Sequence, residues 1–127
     1  MKRLLTTTAL VLAMTVGANA AQLAAGTIYS ANASFGYCWW TNLGTTNVTP
    51  TSQVMYTWYL NTAISTSGSC SNGSPVGPGT TCYIYPSSTG YVGLSCKVVF
   101  STSVANVRGS LELTDSSGNE LSQVELR

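Results

Sequence analysis

The chain has 127 residues, no histidine, and charged side chains at only 7% of its positions. Without histidine it lacks the commonest general base and metal ligand, and every Ser-His or Cys-His nucleophile pair. The five basic and four acidic residues nearly cancel, and so few basic residues disfavour binding to nucleic-acid phosphates or to anionic membranes.

The N-terminal segment has the pattern of an export signal. Lys2 and Arg3 form a short basic start, residues 4–16 are mostly apolar, and Ala18-Asn19-Ala20 has the small-x-small pattern of a cleavage site. The apolar run is shorter than the ~20 residues that a membrane-spanning helix needs. We therefore predict a signal peptide over residues 1–20 and a mature domain over residues 21–127. This domain is expected in the periplasm or outside the cell, with no membrane insertion after cleavage.

The charges of the predicted mature domain all lie near its C-terminal end. Residues 21–96 contain no charged side chain and take their polarity mainly from Ser, Thr, Asn and Gly. Three basic residues against four acidic ones give the domain a net charge of −1; they are Lys97, Arg108 and Arg127, and Glu112, Asp115, Glu120 and Glu125.

The sequence pattern in the first half of the domain predicts three strands. The first predicted strand covers Gly26–Ser30, and the second, which is rich in aromatic residues, covers Phe35–Asn42. A turn-rich link containing Pro50 precedes a third strand over Val54–Leu60, supported by β-branched and aromatic residues. Alternation in the second strand places Cys38 and Trp40 on one face and Tyr37 and Trp39 on the other. In the third strand, alternation places four large side chains on one face: Val54, Tyr56, Trp58 and Leu60.

The second half predicts a loop and four further strands. Residues 65–81 are rich in Ser, Gly and Pro and are expected to form a loop without any strand. A short strand follows over Thr81–Tyr85, and then a central strand over Val92–Phe100, in which every second residue is apolar. Two last strands, Val107–Thr114 and Glu120–Leu126, flank the turn Asp115–Asn119 as a hairpin; Leu111, Leu113, Val124 and Leu126 are expected on its buried face.

About seven short strands separated by Gly, Pro and Ser turns predict an all-β fold, a single antiparallel β-sandwich of immunoglobulin-like type. The four cysteines, in an exported chain, predict two disulfides. Cys38 and Cys96 both lie in strands with inward alternation, which favours a Cys38–Cys96 pair across the sheets and leaves Cys70–Cys82. The other two connectivities stay open.

Three stretches resemble a group of small exported bacterial β-sandwich proteins to which no function is assigned. They are Cys38-Trp-Trp-Thr-Asn-Leu-Gly44, Cys96-Lys-Val-Val-Phe100, and Val107 to Leu121 with Asp115 and Gly118. The resemblance covers most of the mature domain and implies its fold, but it implies no activity. Antibody-type domains have a tyrosine two residues before the second cysteine, where this chain has Leu94, so kinship with them is not supported.

Catalytic and cofactor motifs are missing from the sequence. The four carboxylates belong to the C-terminal hairpin and lack the spacing of a calcium loop. Lys97 follows Cys96, which suggests an activated thiol, but a surface lysine beside a disulfide is the simpler interpretation. No glycine-rich turn leads from a strand into a helix. We therefore expect no enzyme activity, no catalytic residue, no cofactor and no metal.

Aromatic side chains are the remaining candidates for function. Trp39 alternates against the inward Trp40, and Tyr59 alternates against Trp58, so both are expected to face outward. Tyr83 and Tyr85 alternate against Cys82 and Ile84 in the same way. An outward, uncharged aromatic face suits a carbohydrate or a protein ligand, although half-buried strand aromatics without function are common.

The leading hypothesis is therefore a recognition module with a neutral aromatic surface. The alternative is a structural subunit that assembles into a surface polymer or matrix, because Val54–Ile64 combines high β-propensity with no charge and no proline. The same segment also fits a buried central strand. The sequence leaves the oligomeric state open.

Overall fold

A computed structural model of the chain describes residues 20–59 and 61–127. Within them the protein is all-β, with nine strands and no helix, and therefore no helix long and apolar enough to cross a membrane. The predicted signal peptide lies outside the described residues except for Ala20, and it stays a prediction. The strands are β1 (Ala21–Tyr29), β2 (Phe35–Asn42), β3 (Pro50–Thr57), β4 (Ala63–Ile64), β5 (Thr66–Gly68), β6 (Thr81–Pro86), β7 (Gly93–Phe100), β8 (Val107–Thr114) and β9 (Glu120–Glu125).

The strands form two antiparallel sheets in a sandwich-like arrangement. One sheet has four strands in the order β1-β7-β3-β4, and the other has five in the order β5-β6-β2-β8-β9. The predicted central strand is confirmed as β7, which lies between β1 and β3. Its alternate residues Leu94, Cys96, Val98 and Phe100 are buried against the other sheet. The period of two in the sequence thus identifies the strand around which the core is built.

Two short strands account for the difference between the nine observed strands and the seven expected ones. β4 has two residues and β5 has three, too few for a visible alternation. The prediction that residues 65–81 hold no strand is wrong, because Thr66–Gly68 pairs with β6. Residue Val76 in the same segment also forms an isolated bridge with Val48. Backbone pairing with residues distant in the chain, rather than local composition, orders these residues.

The predicted strand over Val54–Leu60 begins and ends earlier in the chain, and its inner face is the opposite of the predicted one. β3 covers Pro50–Thr57 instead; proline is tolerated at the first residue of a strand, where it interrupts no ladder. Met55 and Thr57 lie opposite Cys96 and Leu94 of β7 and are buried, so they form the inner face. Trp58 is exposed, and Leu60 lies outside the described residues.

Both predicted disulfides are present. Cys38–Cys96 joins β2 of one sheet to β7 of the other, with Cα atoms 6.3 Å apart, and Cys70–Cys82 joins the loop before β6 to β6 itself, at 5.6 Å. In the chain-entropy model, sequence separations of 58 and 12 residues correspond to about 4 and about 3 kcal/mol of stabilisation. That is a large part of the ~5–15 kcal/mol that stabilises a typical domain.

The core around the inter-sheet disulfide holds the predicted inward tryptophan. Trp40 is fully buried, and its ring meets Phe100 edge-on with centroids 5.0 Å apart. Its indole N–H donates to Gln53 Oε1 at 2.9 Å, which satisfies the one polar atom of the ring. Because Trp40 faces inward, its neighbour Trp39 must face outward.

The C-terminal hairpin forms as predicted. In β8 and β9, Leu111 lies opposite Val124 and Leu113 opposite Ser122. Leu111, Leu113 and Leu126 are buried, and Val124 is partly buried against the core. The hairpin therefore contributes one apolar face to the sandwich and leaves its charged residues outside.

Candidate functional site

Four aromatic rings meet on the outer face of the five-stranded sheet. They are Tyr37 and Trp39 of β2 and Tyr83 and Tyr85 of β6, and together they are called the aromatic platform below. Trp39 lies directly opposite Tyr83 in the antiparallel register of the two strands. Alternation explains the arrangement, because Cys38 and Cys82, which are buried, turn their neighbours outward.

The rings of the platform contact each other in a closed circuit. Ring centroids are 5.5 Å apart between Tyr37 and Trp39, 5.1 Å between Trp39 and Tyr83, 6.1 Å between Tyr83 and Tyr85, and 6.0 Å between Tyr85 and Tyr37. Tyr83 and Tyr85 are stacked, with 28° between their planes, and the other pairs are tilted. Such contacts restrict each ring, so the platform is a preorganised apolar surface.

The platform is only partly open to solvent. Tyr85 is exposed, and the other three side chains are half-buried. The indole N–H of Trp39 is buried and has no hydrogen-bond partner among the described residues. An unpaired buried donor costs about 1–3 kcal/mol, and such groups are rare in folded proteins.

A shallow open groove of about 380 Å³ runs beside the platform towards β8 and β9. Gln123 and Ser110 in its wall are linked by a hydrogen bond of 3.2 Å between the Gln123 amide and the Ser110 hydroxyl. The platform itself is uncharged, but this border carries charges of both signs. The side chains around the groove include Trp39, Thr41, Arg108, Ser110, Gln123 and Glu125.

Tyr59, the fourth residue predicted for the binding surface, lies elsewhere. It follows β3, and its ring contacts Trp58, which in turn contacts Tyr29 at the end of β1. Tyr29, Trp58 and Tyr59 are called the tip cluster below. The structure therefore divides the predicted aromatic surface between the two sheets: Trp39, Tyr83 and Tyr85 meet on one, and Tyr59 is separate from them.

Three residues of these surfaces are not among those predicted from the sequence. Tyr37 shares its alternation with Trp39, so the same argument was enough to include it. The predicted inward position of Trp58 is wrong, since in β3 Met55 and Thr57 face inward. Tyr29 joins the tip cluster only through the pairing of β1 with β7, a register that no local pattern indicates.

The carboxylates and the lysine occupy ordinary structural positions. No group of three or more Cys, Asp or Glu side chains that could hold a metal ion occurs in the part of the chain described. Lys97 lies between Ala24 and Val54 on the outer side of the four-stranded sheet. Asp115 accepts hydrogen bonds from Ser117 and Asn119 within its own turn.

Comparison with known proteins returned no match to this chain, whether among protein-family models, curated proteins or solved structures.

Proposed function

We propose that this protein is an exported, non-enzymatic recognition module that binds its ligand on the aromatic platform. The observation that carries this proposal is the closed circuit of four outward-facing rings on β2 and β6. The ligand class that fits best is a neutral carbohydrate, because the apolar face of a sugar ring stacks on aromatic rings without needing charge. A protein ligand is the second candidate.

The surroundings of Trp39 support this proposal. Its buried indole N–H lacks an acceptor among the described residues, so this face of the sheet holds a hydrogen-bond donor that a ligand oxygen would satisfy. The adjoining groove offers the amide of Gln123 and the hydroxyls of Thr41 and Ser110. An apolar floor beside a few polar groups is typical of small-molecule sites.

We further propose that the sandwich is immunoglobulin-like. In such domains strands B and E are neighbours in one sheet, C and F are neighbours in the other, and a disulfide joins B to F. Here β2 pairs with β6, β3 pairs with β7, and Cys38–Cys96 joins β2 to β7. The edges differ from that plan, because β8 lies beside β2, where strand A is expected, and β1 lies beside β7, where strand G is expected.

The test of the platform is the Trp39→Ala variant of the exported protein on a printed array of neutral glycans. We expect the array signal of the wild type to fall at least tenfold, since an aromatic anchor at the centre of a contact is typically worth ~2 kcal/mol or more. Folding, measured by circular dichroism and thermal melting, should survive because the ring faces outward.

Tyr56→Ala is the matched control, because Tyr56 is a half-buried aromatic residue on the other sheet. Its array signal should equal that of the wild type. Unchanged glycan binding by Trp39→Ala would contradict the proposal. Unfolding of that variant would instead show that Trp39 is a core residue.

A further inference from the structure

The tip cluster is built around a glycine at the start of the central strand. Gly93 of β7 lies opposite Tyr29 of β1 on one side. On the other side, the backbone N–H of Trp58 donates to the Gly93 carbonyl at 3.1 Å. A Cβ on Gly93 would lie 2.5 Å from Trp58 Cδ1 and 2.6 Å from Cγ, closer than real atoms approach. The missing side chain thus provides the space in which the Trp58 indole lies over the strand.

Two tyrosines flank this indole. Tyr29 meets it edge-on with ring centroids 5.4 Å apart at 68°, and Tyr59 meets it at 5.8 Å and 71°. Edge-to-face pairs of this kind contribute about 0.5–1.5 kcal/mol each beyond the burial of area. Trp58 is therefore held in place, although 49% of it is exposed, and its flanking residues are 54% and 63% exposed.

The size and charge of the tip cluster select the class of ligand. Each aromatic side chain has ~150–250 Å² of surface, so three half-exposed rings offer roughly 300 Å². A stable protein interface needs about 800 Å² from each partner, whereas one or two sugar rings match the smaller area. None of the three residues carries a charge, so an uncharged ligand suits the surface that they form.

We propose that Trp58, flanked by Tyr29 and Tyr59 over Gly93, is a stacking site for a neutral saccharide. The inference does not depend on the proposed function of the platform, because the two surfaces share no residue and lie on different sheets. If both sites bind, one domain holds two saccharide chains and cross-links them.

The experiment measures binding of the full chain, exported with its own leader, to four neutral hexasaccharides: cellohexaose, maltohexaose, mannohexaose and chitohexaose. Isothermal titration of the wild type is compared with Trp58→Ala and with Gly93→Ala, which displaces the indole without removing an aromatic residue. We expect Trp58→Ala and Gly93→Ala each to weaken the binding of at least one hexasaccharide to the tip cluster at least tenfold. Trp39→Ala, which changes the platform, should leave the binding of that hexasaccharide to the tip cluster unchanged.

Tyr59→Ala keeps the test valid if either of those variants fails to fold. Its side chain is mostly exposed, so the variant should fold and still bind several-fold more weakly, and Tyr56→Ala serves again as control. The inference is overturned if none of the four probes binds at millimolar concentration. It is equally overturned if binding is lost only in Trp39→Ala, an outcome that leaves the platform proposal standing.

Discussion

At the scale of single residues, Asn42 shows how a buried polar group organises loops. It ends β2 and is completely buried. Its amide nitrogen donates to the carbonyls of Thr46 at 2.8 Å and Val76 at 3.0 Å, and its amide oxygen accepts from the Gly44 N–H at 3.0 Å. One side chain therefore joins the turn after β2 to the long loop before β6.

Replacing Asn42 with alanine should lower the free energy of unfolding by roughly 2–3 kcal/mol, because it removes three hydrogen bonds made by one fully buried side chain, each worth about 1 kcal/mol. Chemical denaturation of the oxidised protein measures the change. Asn32→Ala is the control, since Asn32 is exposed, and it should lie within about 0.5 kcal/mol of the wild type. Equal stability of the two variants would mean that water replaces the amide at no cost.

At the scale of elements, the turn between β8 and β9 depends on one carboxylate. Asp115 accepts from the side-chain amide of Asn119 at 2.8 Å and from the backbone N–H groups of Asn119 and Ser117 at 2.9 and 2.8 Å. Gly118 closes the turn with φ of +83°, a conformation that glycine adopts without strain. These hydrogen bonds, with that of the Asn119 side chain the largest, hold the pKa of Asp115 below its ordinary value.

The lowered pKa predicts how the turn responds to acid. Because the folded pKa lies below the unfolded one, ionised Asp115 stabilises the hairpin above the ordinary aspartate pKa, and this contribution is lost as the pH falls through the folded pKa. Asn119→Ala removes the largest cause and should raise the pKa of Asp115 towards its ordinary value in an NMR carboxyl titration. Ser117→Ala, which keeps its backbone N–H, should leave that pKa nearly unchanged; equal pKa values in both variants would contradict this account.

At the scale of the whole molecule, one edge strand of each sheet is short, and the opposite edges are joined to each other at one point. β4 and β5, with two and three residues, end one side of each sheet. On the opposite side, Ala24 of β1 exchanges two backbone hydrogen bonds with Arg127, at 2.8 and 2.9 Å. Part of the Val54–Ile64 segment lies in β3, which runs between β7 and β4. Edge strands as short as β4 and β5 offer little backbone for pairing with another chain.

Light scattering of the oxidised protein over a hundredfold concentration range should therefore give a constant mass. The alternative function, assembly into a surface polymer, requires the mass to grow with concentration and requires Tyr59→Lys to prevent that growth. Constant mass would reject assembly and direct attention to the two aromatic surfaces. Growth that Tyr59→Lys abolishes would make the segment around β3 and β4 the interface.

The alternation of inward and outward side chains, and the inward positions of the cysteines within it, were enough to predict much of this protein, because both are local properties of strands. They located β2, β7 and the C-terminal hairpin, both disulfides, the inward Trp40 and the outward Trp39. They failed for β3, where Val54, Tyr56 and Trp58 looked like an apolar face although pairing with β7 turns Met55 and Thr57 inward. A half-buried strand with apolar residues on both faces does not reveal its inner side by itself.

The functional surfaces depend on contacts between distant parts of the chain. The sequence alone determined which aromatic residues of β2 and β6 face outward, since a side chain's face follows from its position in the strand. Only the tertiary structure decided that Tyr37 and Trp39 meet Tyr83 and Tyr85, and that Tyr29, Trp58 and Gly93 form one row. The physical reason is register: pairing between strands far apart in the chain is set by the packing of the whole core, and no local pattern encodes it.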